Sequence, residues 1–391
     1  LIYHDWDFGD GRFSNQKDPT HQYLSYDSFD VKLLVTSEFD CKDSTTKRLF
    51  IHPMRNMGFD IDDNTQCLSG NWFKFTNATT INDGSIDSFL WLTGDGNSGN
   101  TKNHSYAYTD HGNYNVTLKA YTDKGCRDSM DKKVFIFPMP ETGFKVDDSS
   151  QCLGINDFSF EDSSTIETGF INSYYWDMGD GNTYLTPIAN HSYASEGDYL
   201  VKYYSESSEG CRDSAFKTVT VHPEPEADFI ISNHKQCFEN NNFIFSDDSK
   251  ISTGTIDNYE WEVGDGNTYL TRNATHSYTT DGNYDVKLII TSDFGCQDST
   301  RKTAYVFPMP EAQFSVNDRD QCLNGNSFSF SNNSSIKSGS ITLNNWNFGD
   351  NLTSGIESPI HQYTKDSTFR VKLVVKSNQG CEDSMEQKIT V

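Results

Sequence analysis

Short stretches of this chain alternate apolar and polar residues, which is the pattern of strands buried on one face. In one representative segment, "FKVDD" (144–148) and "FSFED" (158–162) show it, and "SYYWDMGDG" (173–181) places a tryptophan on a third strand. A short strand, a turn at Gly197, a long strand and a last strand over 211–223 follow. Turns rich in Gly, Asp, Asn and Ser separate the strands, and no segment has convincing helical periodicity.

The same pattern returns along the whole chain at one fixed interval. "WDFGDG" at the start of the chain becomes "WLTGDG", "WDMGDG", "WEVGDG" and "WNFGDN" further along, and the steps 91 − 6, 176 − 91, 261 − 176 and 346 − 261 are equal. The tryptophans are Trp6, Trp91, Trp176, Trp261 and Trp346, and the turn aspartates are Asp10, Asp95, Asp180, Asp265 and Asp350. The spacing predicts a partial repeat over 1–53 and further repeats over 54–138, 139–223, 224–308 and 309–391.

About seven short strands in each 85-residue unit predict an all-β fold, a tandem array of immunoglobulin-like β-sandwiches forming an elongated rod. We expect each tryptophan to fill the space between two sheets, because a buried ring of that size contributes most to a small core. The Gly-Asp-Gly that follows should end the strand. Glycine can adopt positive φ there, and the aspartate can bind nearby backbone amides.

Charge and composition narrow the class of protein. The chain has 391 residues with 56 acidic and 31 basic side chains, a net charge of −25. This disfavours nucleic acid as a partner, because phosphates require basic patches. No apolar run is long enough to span a membrane. Two cysteines in each of the four fuller repeats indicate disulfides and therefore an extracellular location.

Further motifs surround the tryptophan turn. His-x-Tyr follows it by about eleven residues, Gly-x-Tyr-x-Val lies on the next strand, and Gly-Cys-x-Asp-Ser lies at the last turn. Together these motifs resemble the polycystic kidney disease (PKD) domain, and their wording is similar to cysteine-bearing arrays in very large surface proteins of Bacteroidetes-type bacteria. Departures are Tyr106 in place of the histidine, Asn351 in place of the second turn glycine, and Ser28-Phe29 in place of the Gly-x-Tyr pair. The resemblance implies an extracellular spacer, stalk or adhesion module rather than an enzyme.

The sequence gives little evidence for catalytic residues. The recurrent histidines His21, His191, His276 and His361 fit a structural hydrogen bond better than an active site, and no nucleophile elbow, zinc-protease motif or P-loop occurs. We therefore predict no catalytic residue and no cofactor.

Calcium is the open alternative among metals. The acidic loops over 60–64, 147–150 and 317–320 could supply oxygen ligands, although a solvated acidic surface explains them as well.

Trp72 departs from the repeat pattern. Its equivalents Asp157, Asn242 and Ser327 are polar, and its neighbours alternate inward, so its ring should point outward. Aromatic residues are enriched where chains meet. Trp72 is therefore a candidate contact between chains.

Spacing and topology give different disulfide patterns. Spacing favours pairs within a repeat, such as Cys67–Cys126, Cys152–Cys211, Cys237–Cys296 and Cys322–Cys381. In an immunoglobulin-like sandwich, however, the two cysteines of one repeat lie at opposite ends, a strand length apart, whereas a disulfide needs Cα atoms within about 7 Å. Topology thus favours bridges between neighbouring repeats, namely Cys67–Cys211, Cys152–Cys296 and Cys237–Cys381. Cys41, Cys126 and Cys322 would then pair outside this sequence.

The sequence as a whole predicts a non-catalytic repeat region of a large extracellular bacterial surface protein, building a stalk or multi-chain filament for adhesion. Identical chains in a fibre are the expected partners, and a cell-surface or glycan ligand is a further one. The alternatives are a carbohydrate- or protein-binding accessory region of a secreted enzyme, or a receptor ectodomain.

Overall fold

The structure is a computed structural model that describes residues 2–52 and 56–391. The expected boundary between repeats 1 and 2, at 53/54, lies outside the described residues. Backbone contacts divide the chain into two compact units. Unit 1 comprises 1–147, 159–189 and 200–217, and unit 2 comprises 148–158, 190–199 and 218–391.

The described residues are almost entirely strands and turns, with one 3-10 turn at Leu153–Ile155. Repeat 1 contains β1 (Tyr3–Asp7), β2 (Phe13–Ser14), β3 (Asp27–Thr36) and β4 (Lys42–Ile51). Repeat 2 contains β5 (Phe59–Ile61), β6 (Thr65–Cys67), β7 (Phe73–Asn77), β8 (Ile86–Leu92), β9 (Ser98–Gly99), β10 (His104–Tyr106), β11 (Gly112–Thr122) and β12 (Arg127–Phe137). Repeat 3 contains β13 (Phe144–Val146), β14 (Ser150–Cys152), β15 (Phe158–Asp162), β16 (Ile171–Asp177), β17 (Thr183–Tyr184), β18 (Ile188–His191), β19 (Gly197–Ser207) and β20 (Arg212–His222).

The remaining two repeats continue this order. Repeat 4 contains β21 (Phe229–Ser232), β22 (Lys235–Cys237), β23 (Phe243–Asp247), β24 (Ile256–Glu262), β25 (Thr268–Tyr269), β26 (Ala274–His276), β27 (Gly282–Ser292) and β28 (Gln297–Phe307). Repeat 5 contains β29 (Pro310–Glu311), β30 (Phe314–Val316), β31 (Phe328–Asn332), β32 (Ser335–Ile336), β33 (Ile341–Asn347), β34 (Thr353–Ser354), β35 (Ile360–His361), β36 (Thr368–Ser377) and β37 (Glu382–Thr390).

Repeats 2 and 4 each form a sandwich of a three-stranded and a five-stranded sheet. In repeat 4 the strand orders are β21-β23-β26 and β22-β28-β27-β24-β25, and repeat 2 has the corresponding orders. Most neighbours are antiparallel, but β22 pairs in parallel with the last strand, β28. The chain therefore crosses from one sheet to the other before it reaches Cys237, a step that alternation alone did not predict.

The tryptophan strand separates core from surface by simple alternation. In unit 2, Trp261 is completely buried and packs with Phe229 and Phe245 in the core of repeat 4. Its neighbour Glu260 is exposed. In unit 1, Trp91 packs in the same way in repeat 2. Because successive side chains of a strand face opposite sides, one inward tryptophan determines which side chains of the strand point into the core.

Trp6 differs from the other four. It is only partly buried, whereas Trp91, Trp176, Trp261 and Trp346 have no exposed surface. The described residues of repeat 1 form a single sheet, β2-β1-β3-β4, so no second sheet covers the Trp6 ring there. The core role expected for Trp6 is therefore incomplete in this structure.

Candidate functional site

The first glycine of the repeated turn is required by geometry. Gly264 has φ +88°, and a Cβ at this position would lie 2.9 Å from the backbone oxygen of Asp285. An L-residue would meet both an unfavourable backbone conformation and a clash. The same conditions hold at Gly9, Gly94, Gly179 and Gly349.

The second turn position tolerates asparagine. Gly266 has φ +96°, and a Cβ added to it would meet no atom within 4 Å. Asn351 takes this place in repeat 5 with φ 73°. Asparagine adopts the left-handed region more readily than other non-glycine residues. The departure in repeat 5 therefore leaves the turn intact.

The turn aspartate joins the turn to a neighbouring strand. Its Oδ1 accepts the backbone N–H two residues on, at 3.0–3.1 Å, from Arg12, Asn97, Asn182, Asn267 and Leu352 respectively. Its Oδ2 bonds the histidine eleven residues later, as repeats 1, 4 and 5 illustrate. These pairs are Asp10–His21 at 2.8 Å, Asp265–His276 at 2.8 Å and Asp350–His361 at 2.7 Å.

Tyr106 performs the histidine's task in repeat 2. Its hydroxyl donates to Asp95 Oδ2 at 2.6 Å, across the same eleven-residue interval. Partial burial alone would raise the pKa of Asp95, but hydrogen bonds from Thr93, Tyr106 and Asn97 lower it to about 2. The carboxylate therefore stays ionised, and both of its oxygens accept hydrogen bonds. The Tyr106 departure preserves the hydrogen bond and changes only its donor.

The recurrent histidine also makes contacts beyond the turn aspartate, as His276 shows. Nε2 of His276 bonds Asp265, and its Nδ1 bonds the hydroxyl of Tyr269 at 2.9 Å. His276 is 9% exposed, and its ring packs edge-on against Tyr278. Its two ring nitrogens therefore tie the turn aspartate to Tyr269 on β25.

The sequence analysis did not identify a buried asparagine that recurs in the repeats. Asn241 donates through Nδ2 to the carbonyl oxygens of Phe238 and Tyr278, and its Oδ1 accepts the N–H of Tyr278. Tyr278 in turn donates its hydroxyl to the carbonyl of Val263 at 2.7 Å. Asn71, Asn156 and Asn326 make equivalent bonds. Their regular spacing, one in each of repeats 2 to 5, was the available signal.

The acidic loops use their side chains locally. Asp62, Asp147 and Asn317 each accept, through Oδ1, a backbone N–H twelve residues later, at 3.0 Å in each case. The backbone hydrogen bond from Lys74 lowers the pKa of Asp62. Within residues 2–52 and 56–391, no three His, Cys, Asp or Glu side chains come together in a group that could hold a metal ion.

The six bonded cysteines join neighbouring repeats in this structure. The bridges are Cys67–Cys211, Cys152–Cys296 and Cys237–Cys381, each spanning 144 residues with Cα atoms 5.5–5.6 Å apart. Among the described residues, Cys41, Cys126 and Cys322 are free. These connections have the pattern that topology favours and spacing does not.

The strand register explains this connectivity. Cys152 lies opposite His222, the final residue of the last strand of its own repeat, where the chain leaves for the next one. Cys296 closes the hairpin between β27 and β28 of that next repeat, where Ser292 donates to its carbonyl. A cysteine beside the end of the last strand of one repeat is therefore bonded to a cysteine in the last hairpin of the following repeat.

A second contact recurs between neighbouring repeats. Asp281 accepts from Lys337 at 2.9 Å in unit 2, and Glu196 accepts from Ser252 at 2.8 Å. In unit 1, His111 lies 3.4 Å from Glu167. The same sequence interval separates the two members of each pair. These contacts are exposed and individually weak, but together with a bridge they fix two points in each of the three junctions between repeats 2 and 5.

Trp72 lies on the outside of repeat 2. Its side chain is 54% exposed, while Phe73 beside it is fully buried. Gln66 accepts the backbone N–H of Trp72 at 2.7 Å and donates to its carbonyl. The strand therefore presents the ring outward on a fixed backbone. A contact role for this ring stays a prediction.

Known proteins share parts of this sequence. Human polycystin-1 is 24% identical over 291 residues, 70% of this chain and 6% of polycystin-1. Collagenase ColA of Clostridium perfringens is 33% identical over 117 residues, 29% of this chain and 10% of the collagenase. The chain thus spans a small part of either relative. The solved PKD1 domain of the Vibrio cholerae metalloprotease PrtV matches 21% of this chain and 96% of its own length at 32% identity, with a TM-score of 0.19.

Helices that could cross a membrane are absent from the described residues. A family model described as the PKD domain matches five consecutive segments, 1–51, 59–136, 146–223, 222–307 and 308–391. These segments cover nearly the whole chain and follow the period of the tryptophan turn. The chain therefore belongs to the PKD domain family, as a tandem array of immunoglobulin-like β-sandwiches.

Proposed function

We propose that this chain is a mechanical segment of a large extracellular surface protein, a non-catalytic stalk or filament used in adhesion. The observation that carries the proposal is the order of the bridges. Cys67 is bonded to Cys211, and Cys237 is bonded to Cys381. A pull between Cys67 and Cys381 is therefore carried by two bridges and the short chain segment from Cys211 to Cys237.

That short segment is already largely extended. It contains β20 (Arg212–His222), β21 (Phe229–Ser232) and β22 (Lys235–Cys237). Strand residues rise by about 3.3 Å each, close to the maximum that a chain can reach. Tension along this route has little slack to remove. An array linked in this way resists lengthening even where a domain opens, which suits a tether.

An extracellular location is part of the proposal. Disulfides persist in oxidising compartments, and the net charge of −25 favours solubility and repulsion between neighbouring molecules. We place the protein on a bacterial cell surface, where a stalk holds another part of the molecule away from the envelope. A cell-surface or glycan ligand is the target that such a stalk would reach.

Association of identical chains in a fibre is a further element. Trp72 is large, exposed and presented on a fixed backbone, and aromatic anchors of this kind dominate many protein interfaces. Multi-angle light scattering of native material should give a mass of several chains, and Trp72→Ala should lower it. A monodisperse monomer would remove the fibre from the proposal and leave the single-chain stalk.

A second function is supported by the relatives. Collagenase ColA and the metalloprotease PrtV carry segments similar to this chain, so it could serve as a binding accessory of a secreted enzyme. A catalytic domain in the same gene product would favour that function, and further repeats would favour the stalk. A membrane helix downstream would instead indicate a receptor ectodomain.

Antibody labelling of intact source cells tests the proposed location. Antibodies raised against repeats 3 and 4 should label the outside of unpermeabilised cells, and brief surface proteolysis should remove the label. A cytoplasmic protein supplies the control and should stay unlabelled. Label that appears only after permeabilisation would overturn the proposed extracellular location.

A further inference from the structure

Repeat 3 carries a line of exposed aromatic side chains on the outer face of a sheet. Tyr175 on β16 and Tyr204 on β19 lie directly opposite each other. Their ring centroids are 5.9 Å apart, with planes inclined at 56°. Phe216 on β20 follows, 6.4 Å from Tyr204 and nearly perpendicular to it. The three residues are 42%, 38% and 53% exposed.

This line is confined to repeat 3. In the other repeats the position of Tyr175 is Asp, Leu, Glu or Asn, that of Tyr204 is Leu, Lys, Ile or Val, and that of Phe216 is Thr, Asp, Arg or Glu. The equivalent residues are Asp5, Leu34, Thr46, Leu90, Lys119, Asp131, Glu260, Ile289, Arg301, Asn345, Val374 and Glu386. Because none of them is aromatic, the sandwich itself does not require rings at these places.

Polar side chains beside the rings are held in position. Glu206 accepts from Ser173 Oγ at 3.0 Å and pairs with Arg212 at 3.1 Å. Asp177 lies 3.5 Å from the ammonium of Lys202. Each carboxylate is thus matched by a cation, and the group has no excess charge. It offers both donors and acceptors to a ligand that carries neither sign.

Two of the three rings, Tyr175 and Tyr204, line an open pocket of about 490 Å³, and Phe216 lies outside this lining, next to Tyr204. Its walls include Tyr175, Tyr204, Leu185, Glu206 and Arg212. Repeat 4 has a pocket of about 400 Å³ at the corresponding place, lined by non-aromatic residues in the positions of the two tyrosines. The fold therefore provides this pocket in more than one repeat, and in repeat 3 two tyrosines form part of its walls.

We propose that this pocket of repeat 3 binds a neutral glycan through Tyr175 and Tyr204, and that Phe216 beside Tyr204 extends the aromatic surface on which the glycan lies. The negative face of an aromatic ring attracts the polarised C–H bonds on the apolar side of a pyranose. The sugar's hydroxyls would then reach Glu206 and Arg212 at the rim. Binding pockets for small ligands combine an apolar floor and a few placed polar groups in this manner.

Charge and size favour a neutral glycan over other occupants. The paired rim has no net attraction for an anion, and the net charge of −25 repels polyanions. A protein partner usually covers about 800 Å² on each side, whereas a pocket of about 490 Å³ lies within the usual range for small ligands, about 300–1,000 Å³. The site deepens the glycan-ligand part of the proposed function, whereas the bridged stalk does not depend on it, so failure of sugar binding would leave the stalk proposal standing.

Titration calorimetry of the 391-residue chain tests this inference. The probes are neutral oligosaccharides of glucose, mannose, galactose and N-acetylglucosamine, with a sulfated oligosaccharide as the anionic comparison. At least one neutral probe should bind with one site per chain. Tyr204→Ala and Tyr175→Ala should each weaken it by roughly tenfold, as expected for loss of one stacked ring. Both side chains face solvent, so circular dichroism should show unchanged folding.

Trp72→Ala is the matched control, because it removes an exposed ring outside the pocket and should leave sugar binding unchanged. Several results would overturn the glycan site. They are no binding of any neutral probe, tighter binding of the sulfated probe, or equal binding by the tyrosine variants. Self-association of the chain that Tyr204→Ala abolishes would assign the aromatic line to a protein contact instead.

Discussion

Reduction of the bridges should lengthen this chain greatly under tension. With the bridges closed, the shortest covalent route from Cys67 to Cys381 contains only the residues between Cys211 and Cys237, a difference of 26 (237 − 211). At 3.3–3.6 Å per residue, this route extends to about 90 Å. With the bridges open, the route is the whole segment, a difference of 314 (381 − 67), which extends to about 1,100 Å.

Single-molecule force spectroscopy can measure this difference. Handles at the two ends of the chain would be pulled apart, first without a reductant and then with one. Reduction should release 288 residues (314 − 26) of previously hidden chain, or about 1,000 Å of contour length. Under non-reducing conditions, only the residues outside Cys67–Cys381 and the short inner route can contribute to the extension.

Cys211→Ser gives a more specific prediction. The shortest route then runs from Cys67 to Cys152, crosses to Cys296, returns to Cys237 and crosses to Cys381. Its first part is a difference of 85 (152 − 67) and its second a difference of 59 (296 − 237), so the route exceeds the original 26 by 118 (144 − 26). The added extension is about 400 Å.

Cys322→Ser is the control for this series. Cys322 is free in the structure, so its removal should leave the non-reduced extension unchanged. An oxidised chain that extends as far as the reduced one would refute the mechanical reasoning. So would a Cys211→Ser variant that already extends fully.

Three further predictions concern the individual domains. Trp261→Ala should cost about 3–5 kcal/mol and raise hydrogen exchange mainly in repeat 4; equal exchange in all repeats would contradict independent folding units. The lowered pKa of Asp95, about 2, contributes stability that is complete above about pH 4 and is lost as the pH falls towards 2. Denaturant midpoints should show this loss, and Asp95→Asn should diminish it. Burial raises the pKa of Tyr278, so the stability that its neutral hydroxyl contributes is complete below about pH 10 and is lost above it. Tyr278→Phe should therefore reduce the fall in the free energy of unfolding with rising pH in this range, and an unchanged pH dependence would count against this reasoning.

The repeat, the strands and the inward tryptophans were predictable because each depends on local alternation and fixed spacing. The sequence also indicated outward placement of Trp72, since its neighbours alternate inward. The crossing of the chain before Cys237 was not predictable in this way. It depends on a three-residue parallel pairing between β22 and β28, which are distant in sequence.

The candidate sites differ in the same way: those set by local sequence were predictable, and those formed by distant strands were not. The turn aspartates could be located because Gly-Asp-Gly has a local mechanism. The substitution of Tyr106 for histidine could be noticed, but its hydrogen bond to Asp95 needed three-dimensional positions. The line of Tyr175, Tyr204 and Phe216 joins β16, β19 and β20, and two other strands lie between β16 and β19 in the sequence. Neither period nor spacing reveals such a neighbourhood.

Peptide mapping of the native, non-reduced protein tests the central claim most directly. Proteolysis under alkylating conditions, followed by mass spectrometry, should yield a disulfide-linked peptide pair containing Cys152 and Cys296, with the pairs Cys67–Cys211 and Cys237–Cys381 beside it. These products would establish covalent links between neighbouring repeats. Recovery of a Cys152–Cys211 peptide pair instead would place the bridges within single repeats and contradict the mechanical account.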